Sequence, residues 1–310
     1  MIKDRIIRPI LRALGYYTIK AKWRKHQMIS RLMEEDVRRI EKLKTEILAI
    51  NHRILPGLSE KNVTVSLTSH GKRVEQYAAF AIYSMLTQSE LPNRIVLNID
   101  QNQWTQDNLP ELIKKLQVAG LEVNLCEDVG PHTKFLPTLE KYSDDIIITI
   151  DDDICYGAET LKVLLEEYRN SDWKTIICHE AAEIMRDESG YLLPYSQWKT
   201  AKIADKAQSR QYSPMGFRGV LYPPHIFSNE IFNRKVYGEL CPKADDIWFT
   251  IMEERENITV KPIINDEVTY DDLDHRNEYI AENSDALHFT NNALGYNDVQ
   301  LMALCKYYGL

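Results

Sequence analysis

Three consecutive aspartates, Asp151-Asp152-Asp153, directly follow the apolar run at residues 146–150. A short β-branched run of this kind predicts a buried strand, so the carboxylates stand where the strand ends. Crowded negative charges are unfavourable unless a positive partner is present. A divalent cation such as Mg²⁺ or Mn²⁺ is the simplest partner, because hard cations prefer oxygen ligands and bridge phosphates. Asp151 and Asp153 alternate along the chain and converge on one ion, whereas Asp152 points elsewhere.

The same triplet is also typical of a solvated turn that caps a helix. Residues 158–168 have helical character, so an aspartate would then serve as the cap of that helix. The position directly after an apolar run favours the first interpretation. It predicts a metal–phosphate site at the carboxyl edge of a sheet, where open α/β folds bind ligands.

Polar segments after two other predicted elements extend this site. Thr68-Ser69-His70-Gly71-Lys72-Arg73 ends a strand predicted over residues 63–68, and its hydroxyls and cations suit a nucleotide, or simply cap the next helix. Lys134 begins a short predicted helix, where it would neutralise a phosphate or be a solvated lysine. The residues assigned to nucleotide binding here are Thr68, Ser69, Arg73, Lys134 and Asp100, which follows a strand predicted over residues 94–99.

The later part of the chain holds a second group of candidates. Gly216 and Gly219 allow close approach of a backbone to a ligand, and a buried strand is predicted after them. Asp245 and Asp246 directly precede a large apolar helix, where they are either a cap with a first-turn charge or catalytic carboxylates. A lone histidine such as His288 is more often structural than a ligand.

Strands and helices must position these residues, and they alternate along the chain. Predicted strands cover residues 63–68, 94–99, 121–125 and 146–150, and predicted helices cover 74–86, 109–117, 135–139 and 158–168. This βαβα order predicts a mainly parallel, doubly wound sheet. After Trp173 the order loosens into short strands and Pro/Gly-rich connections, which indicates an α+β half.

Charge is distributed unevenly along the 310 residues. Residues 1–32 contain nine lysines and arginines against one aspartate, a formal charge of +8. Because the whole chain has a net charge of −8, the remaining residues carry −16. The acidic body argues against nucleic acid as a partner. Five cysteines without a CxxC pair indicate a reducing compartment, and neither a membrane span nor a signal peptide is predicted.

The basic N-terminal segment has apolar residues at helical spacing, which fits a helix lying on an anionic membrane surface. A flexible basic tail is the alternative, and Pro9 would kink the helix or mark its start. From Ile29 to Ile47 a second periodic pattern predicts a short coiled coil or a helix docked on the core. Turn chemistry around Leu55-Pro56-Gly57 ends this segment.

Together these parts resemble a GT-A glycosyltransferase over roughly residues 62–305. The chain is most similar to the exostosin-like group and related bacterial polysaccharide transferases. The resemblance rests on the order of features: a nucleotide-binding βαβ unit, the DxD-type triplet, a glycine-containing strand, an Asp-Asp-Ile helix start and a late histidine. That family also has an arginine shortly after the histidine, whereas Asn291, Asn292 and Ala293 stand here.

The resemblance implies a role for each candidate. Asp153 would be the direct ligand of Mn²⁺ or Mg²⁺, with Asp151 near the metal-bound water and ribose and Asp152 near the donor sugar. Asp246, or else Asp245, would lie by the anomeric carbon and the acceptor hydroxyl. His288 would meet the diphosphate or the metal, and charge stabilisation would rely on the metal, His288, Lys134 or another cation.

The function implied is transfer of a sugar from a nucleotide-sugar, UDP-linked in such families, to a glycan or lipid-linked acceptor in cell-surface polysaccharide synthesis. Retention of configuration is favoured. We expect an N-terminal extension over residues 1–55 and a transferase domain over residues 60–310, divided into donor (62–155) and acceptor (156–310) halves. We expect a cytoplasmic protein peripheral to the inner membrane face, with its oligomeric state left open. The alternatives are a sugar-nucleotide nucleotidyltransferase and a non-enzymatic, membrane-docked interaction protein.

Overall fold

The computed structural model describes residues 16–200, 211–263, 268–273 and 295–310. The helices are α1 (Tyr16–Leu48), α2 (Arg73–Gln76), α3 (Ala78–Leu86), α4 (Glu111–Ala119), α5 (Leu136–Lys141), α6 (Thr160–Arg169), α7 (Arg234–Leu240), α8 (Asp245–Glu256) and α9 (Tyr296–Tyr308). The strands are β1 (Val63–Thr68), β2 (Arg94–Asp100), β3 (Glu122–Cys126), β4 (Ile146–Thr149), β5 (Ile154–Tyr156), β6 (Ile176–Cys178), β7 (Ala181–Glu183), β8 (Lys199–Thr200), β9 (Tyr212–Pro214), β10 (Val220–Tyr222), β11 (Val260–Pro262) and β12 (Tyr270–Asp272). His288 and residues 1–15 lie outside the described residues.

Seven strands form one central sheet in the order β11-β6-β10-β4-β1-β2-β3. Only β10 runs antiparallel to its neighbours, β4 and β6, and the other pairs are parallel. The predicted α/β class with a mainly parallel sheet is therefore confirmed. Strands from both predicted halves, residues 62–155 and 156–310, join in this one sheet.

The core lies on both faces of the sheet, as the alternation along β4 makes plain. Ile146 and Ile148 pack in one apolar cluster, while Ile147 packs in another. Successive strand residues point to opposite faces, so a strand that packs on both faces can be apolar at successive positions. This explains the uninterrupted isoleucine run that precedes the aspartate triplet.

Helix α1 docks on this core through its C-terminal turns. Ile47 is fully buried, and Ile40 and Leu43 pack partly against the same cluster. The docked-helix alternative is therefore confirmed for these turns. The helix ends at Leu48, several residues before the predicted turn at Leu55. Within the described part of the chain, no helix has the length and apolarity needed to cross a bilayer.

Two local predictions are wrong. The helix predicted over residues 74–86 is interrupted at Tyr77, whose backbone leaves helical geometry at φ −129° and ψ −43°. The aspartate triplet does not cap the following helix: strand β5 comes between, and Glu159 holds the N-cap position of α6.

The buried strand predicted after Gly216 and Gly219 is confirmed as β10.

Candidate functional site

The aspartate triplet lies at the carboxyl end of β4, beside the end of the parallel strand β1. Asp152 is buried and accepts hydrogen bonds from Ser69 Oγ at 2.5 Å and Arg73 Nε at 3.1 Å. Arg73 Nη2 also contacts Asp152, and it lies 2.9 Å from Asp153 Oδ2. Part of the positive charge that the crowded carboxylates require thus comes from Arg73, whose pKa they raise against the effect of burial.

Lys134 supplies the second positive charge and is buried, so the solvated-lysine alternative is wrong. Its Nζ lies 2.6 Å from Asp151 Oδ1 and 3.4 Å from Asp245 Oδ2. Burial acts to lower the pKa of this lysine, but Asp151, Asp245 and Asp246 outweigh it and hold the pKa well above its usual value. The ammonium group is therefore charged and is shared between the end of β4 and the start of α8.

A buried polar network holds the turn that carries Lys134 against the sheet. Ser66 Oγ, in the middle of β1, donates to the Lys134 carbonyl at 2.5 Å and lies 2.6 Å from Thr138 Oγ1. Asn98 of β2 donates to Thr138 Oγ1 at 2.8 Å. Buried polar groups of this kind are stable only when paired, so the network sets the position of the Lys134 backbone.

Asp246 packs against the backbone of Gly216. The Gly216 N–H donates to Asp246 Oδ2 at 3.1 Å. A Cβ at this position would lie 2.8 Å from Asp246 Oδ1 and 3.1 Å from Lys134 Nζ. Glycine is required here because a side chain would occupy the space of the carboxylate and the ammonium group; the predicted approach of this backbone to a ligand stays a prediction.

Asp245 and Asp246 both lie in the first turn of α8, after Ala244 at the N-cap, so neither is the side-chain cap of that helix. Burial and the neighbouring Asp245 raise the pKa of Asp246 to about 7, although Lys134 and the Gly216 N–H oppose this shift. The buried Asp245 Oδ2 has no hydrogen bond of good geometry. Asp246 is thus a part-buried carboxyl group whose raised pKa lies near neutral pH.

Negative charge exceeds positive charge across these two joined clusters. Five carboxylates face two cations, an excess of three before any protonation is counted; they are Asp151, Asp152, Asp153, Asp245 and Asp246 against Arg73 and Lys134. Burial and the adjacent Asp152 and Asp151 raise the pKa of Asp153 to about 6, against the effect of Arg73. An excess of negative charge among these carboxylates favours the binding of an added cation.

Asp151 and Asp153 are the part-exposed members of the triplet and carry the hard oxygen donors that Mg²⁺ and Mn²⁺ prefer. Among the described residues, no group of three His, Cys, Asp or Glu side chains is arranged to hold a metal ion. A metal bound by these two carboxylates would therefore have to take its remaining ligands from elsewhere, such as a diphosphate.

Other predicted site residues have local partners. Thr68 Oγ1 donates to the Asn98 carbonyl at 2.9 Å. Asp100 accepts from the N–H of Asn102 at 2.9 Å and so closes its own turn after β2. His288 lies outside the described residues, so its assignment to the diphosphate or metal stays a prediction.

Tyr156 is a structural partner of the site that the sequence did not reveal. Its hydroxyl accepts from the Asp151 N–H at 2.9 Å and donates to the Phe217 carbonyl at 2.8 Å. It therefore ties the triplet to the turn that contains Gly216. A tyrosine five positions after an aspartate carries no recognisable signal, since the contact depends on how the chain turns between β4 and β5.

No protein-family model matches the chain. Two solved structures are similar to it at 11% sequence identity each. One is CMP:2-keto-3-deoxy-manno-octonic acid synthetase complexed with CTP, with a TM-score of 0.42 over 73% of this chain and 100% of that one. The other is the inositol-1-phosphate CTP transferase from T. maritima, with a TM-score of 0.37 over 70% of this chain and 90% of that one. Neither is an exostosin-like glycosyltransferase, and at these scores neither similarity decides the activity.

Proposed function

We propose that the protein transfers a sugar from a nucleotide-sugar to a hydroxyl group of an acceptor. The observation that carries this proposal is the sharing of the buried Lys134 ammonium between Asp151 and Asp245. This contact supports a reacting centre between the end of β4, where a phosphate would bind, and the acidic first turn of α8. The nucleotide would bind at the carboxyl edge of β1 and β4, as in other open α/β sheets.

On the donor side, Lys134 would bind the departing phosphate once a ligand competes with Asp151 for its ammonium group. Arg73 is held by Asp152 and Asp153, so we assign it to orienting the triplet as much as to the nucleotide. A divalent cation held by Asp151 and Asp153 would supply charge neutralisation at the diphosphate.

On the acceptor side, Asp246 is proposed as the proton acceptor. The bond between the anomeric carbon and the phosphate oxygen breaks, the acceptor oxygen bonds to that carbon from the face that the phosphate leaves, and the hydroxyl proton passes to Asp246. A raised pKa matched to neutral pH supports this role. A phosphate nucleophile would have no such proton to lose, which favours a hydroxyl acceptor.

The finer assignments follow from the exostosin-like resemblance. We propose a UDP-sugar donor, retention of configuration and a glycan or lipid-linked glycan acceptor. The basic residues 1–32 would hold the enzyme against an anionic membrane surface that carries such an acceptor.

Nucleotidyl transfer from a nucleoside triphosphate to a sugar is the second candidate. It is the kind of activity for which the two similar structures are named. The observation that favours it here is the turn after β1, where Gly71 has a φ of +51° and open space around it. His70 and Lys72 are exposed on that turn and are available to a triphosphate.

Calorimetric titration with UDP, GDP, CMP and CTP, each with and without Mn²⁺ or Mg²⁺, tests the proposal. We expect metal-dependent binding of one nucleoside diphosphate that is lost in Asp153→Ala. Binding should be kept in the control Asp107→Ala, because Asp107 is exposed and lies outside the triplet. Pyrophosphate release from CTP with a sugar substrate would establish the second candidate instead. Binding that ignores both metal and Asp153→Ala would refute both.

A further inference from the structure

Arg39 connects helix α1 to a strand more than two hundred residues later in the chain. Its guanidinium contacts the Asp271 carboxylate and the Asp272 carbonyl, both in β12. It is also held 2.9 Å from Asp36 Oδ1, one turn earlier in the same helix. The Arg39 side chain is 21% exposed and the Asp271 side chain is 54% exposed, so the guanidinium is mostly covered while the carboxylate faces solvent. We call the contacts of Arg39 with Asp271 and Asp272 the clasp.

Strand β12 is in turn bonded to the chain segment that directly follows the triplet. It pairs antiparallel with β5, with Asp271 opposite Cys155 and Asp272 opposite Ile154. The next amide, Leu273 N–H, donates to the carbonyl of Asp153 at 2.8 Å. The main chain of Asp153 is therefore held by the same strand that Arg39 holds at its other edge.

The far end of this two-stranded sheet is closed by a tight contact. Gly157 N–H donates to the Thr269 carbonyl at 2.8 Å. A Cβ on Gly157 would lie 2.6 Å from Thr269 Oγ1, so the two segments meet here with no space for a side chain. Tyr156, between these points, bonds the Asp151 N–H. Strands β5 and β12 thus contact the backbone of the triplet at Asp151 and at Asp153.

We propose that Arg39 is a positioning residue of the carboxylate site. It fastens β12 to α1, and β12 fixes the backbone from which Asp151 and Asp153 project. A pair of strands this short is unstable alone. Burial of Ile154, Tyr156 and Leu273 in the apolar core holds its inner side, and Arg39 adds polar contacts to β12. The N-terminal helix is then part of the apparatus that sets carboxylate geometry, and its role extends beyond the membrane contact assigned to residues 1–32. Only the nucleotide readout of this inference rests on the proposed function.

Hydrogen–deuterium exchange of the full-length protein without ligand tests the clasp directly. In Arg39→Ala we expect amides within residues 151–157 and 270–273 to exchange about tenfold faster, while the central strands β1 and β2 keep wild-type rates. Arg38→Ala is the matched control, because Arg38 is the neighbouring residue, is exposed, and donates to the Glu34 carbonyl of its own helix. Asp271→Asn removes the same ion pair from the strand side and serves if Arg39→Ala does not fold.

The second readout is the dissociation constant of the Mn²⁺–nucleotide pair selected by calorimetry. We expect it to rise about two- to thirtyfold in Arg39→Ala and Asp271→Asn, less in Arg39→Lys, and not at all in Arg38→Ala. Unchanged local exchange in both clasp variants would overturn the inference, as would faster local exchange with unchanged nucleotide affinity. If the wild type binds no nucleotide, the proposed function fails, and the exchange result still decides whether the clasp holds the triplet.

Discussion

Gly216→Ala perturbs the site where Asp246 and Lys134 pack most closely. The added Cβ would lie 2.8 Å from Asp246 Oδ1 and 3.1 Å from Lys134 Nζ. Neither group can retreat freely. Asp246 is bonded to the Gly216 N–H itself, and Lys134 is held by Asp151 and Asp245. The substitution therefore pushes the Asp246 carboxylate and the Lys134 ammonium group away from the turn that contains Gly216.

The size of the effect follows from these distances. Ordinary van der Waals contact begins at 3.4 Å, so Asp246 Oδ1 must move by 0.6 Å or more from its present 2.8 Å. Overpacking of a buried site costs about 1–3 kcal/mol in the free energy of unfolding. Misplacing a reacting group by about 1 Å lowers a rate by about a hundredfold. We expect kcat/KM to fall about ten- to a hundredfold, with a modest loss of stability.

Steady-state release of nucleotide from a nucleotide-sugar that carries the nucleotide selected by calorimetry measures this change. Gly238→Ala is the control, because nothing lies within 4 Å of a Cβ at Gly238 and activity should be kept. Urea denaturation of both variants reports the change in the free energy of unfolding. A Gly216→Ala enzyme with kcat/KM within about twofold of wild type would refute the proposed role of Asp246.

Three further outcomes are expected. Lys134→Met leaves buried carboxylates without their cation and should lower the free energy of unfolding by about 3–5 kcal/mol in urea denaturation; a loss under about 1 kcal/mol would contradict the sharing of its charge. Because the native pKa of Asp246 is about 7, above the value of about 3.9 in an unfolded chain, the native state keeps the proton longer and its contribution to stability falls as pH rises from about 4 to 7. The difference in unfolding free energy between wild type and Asp246→Asn should show that slope, and parallel pH curves would rule it out. Deleting residues 1–32 leaves Ile40, Leu43 and Ile47 on the core, so the fold should persist while co-sedimentation with anionic vesicles is lost; unchanged co-sedimentation would disprove membrane binding by this segment.

Much of the fold could be predicted because buried parallel strands leave a strong local pattern. The run that became β4 is mostly apolar on both faces, the runs of β1 and β2 have an apolar residue at every second position, and helices between them have regular periodicity. The break at Tyr77 could not be predicted, because no proline or glycine marks it. Strand β5 was also missed, since three residues beside a distant partner strand carry no periodicity of their own.

The sequence predicted which residues form the candidate site, but it did not predict which of them contact each other. Asp151, Asp153, Asp245 and Asp246 stood out because acids beside long apolar runs are unusual. Which acid would meet Lys134, and which Arg73, depends on the order of strands, and β4 lies beside both β1 and β10 only in the folded sheet. Ser66, Asn98 and Thr138 were not singled out, since isolated polar residues in a strand or helix have no signal until their partners are known.

The sequence by itself determined the α/β class, the strand that delivers the aspartate triplet and the acidic start of α8, because each depends on contacts among residues close in the chain. Only the tertiary structure decided that one buried lysine is shared by Asp151 and Asp245, that Gly216 packs against Asp246 and Lys134, and that Arg39 contacts β12. These are pairings between residues far apart in sequence. Burial makes them selective, since a charge removed from water must find an opposite charge in the one geometry that the packed sheet allows.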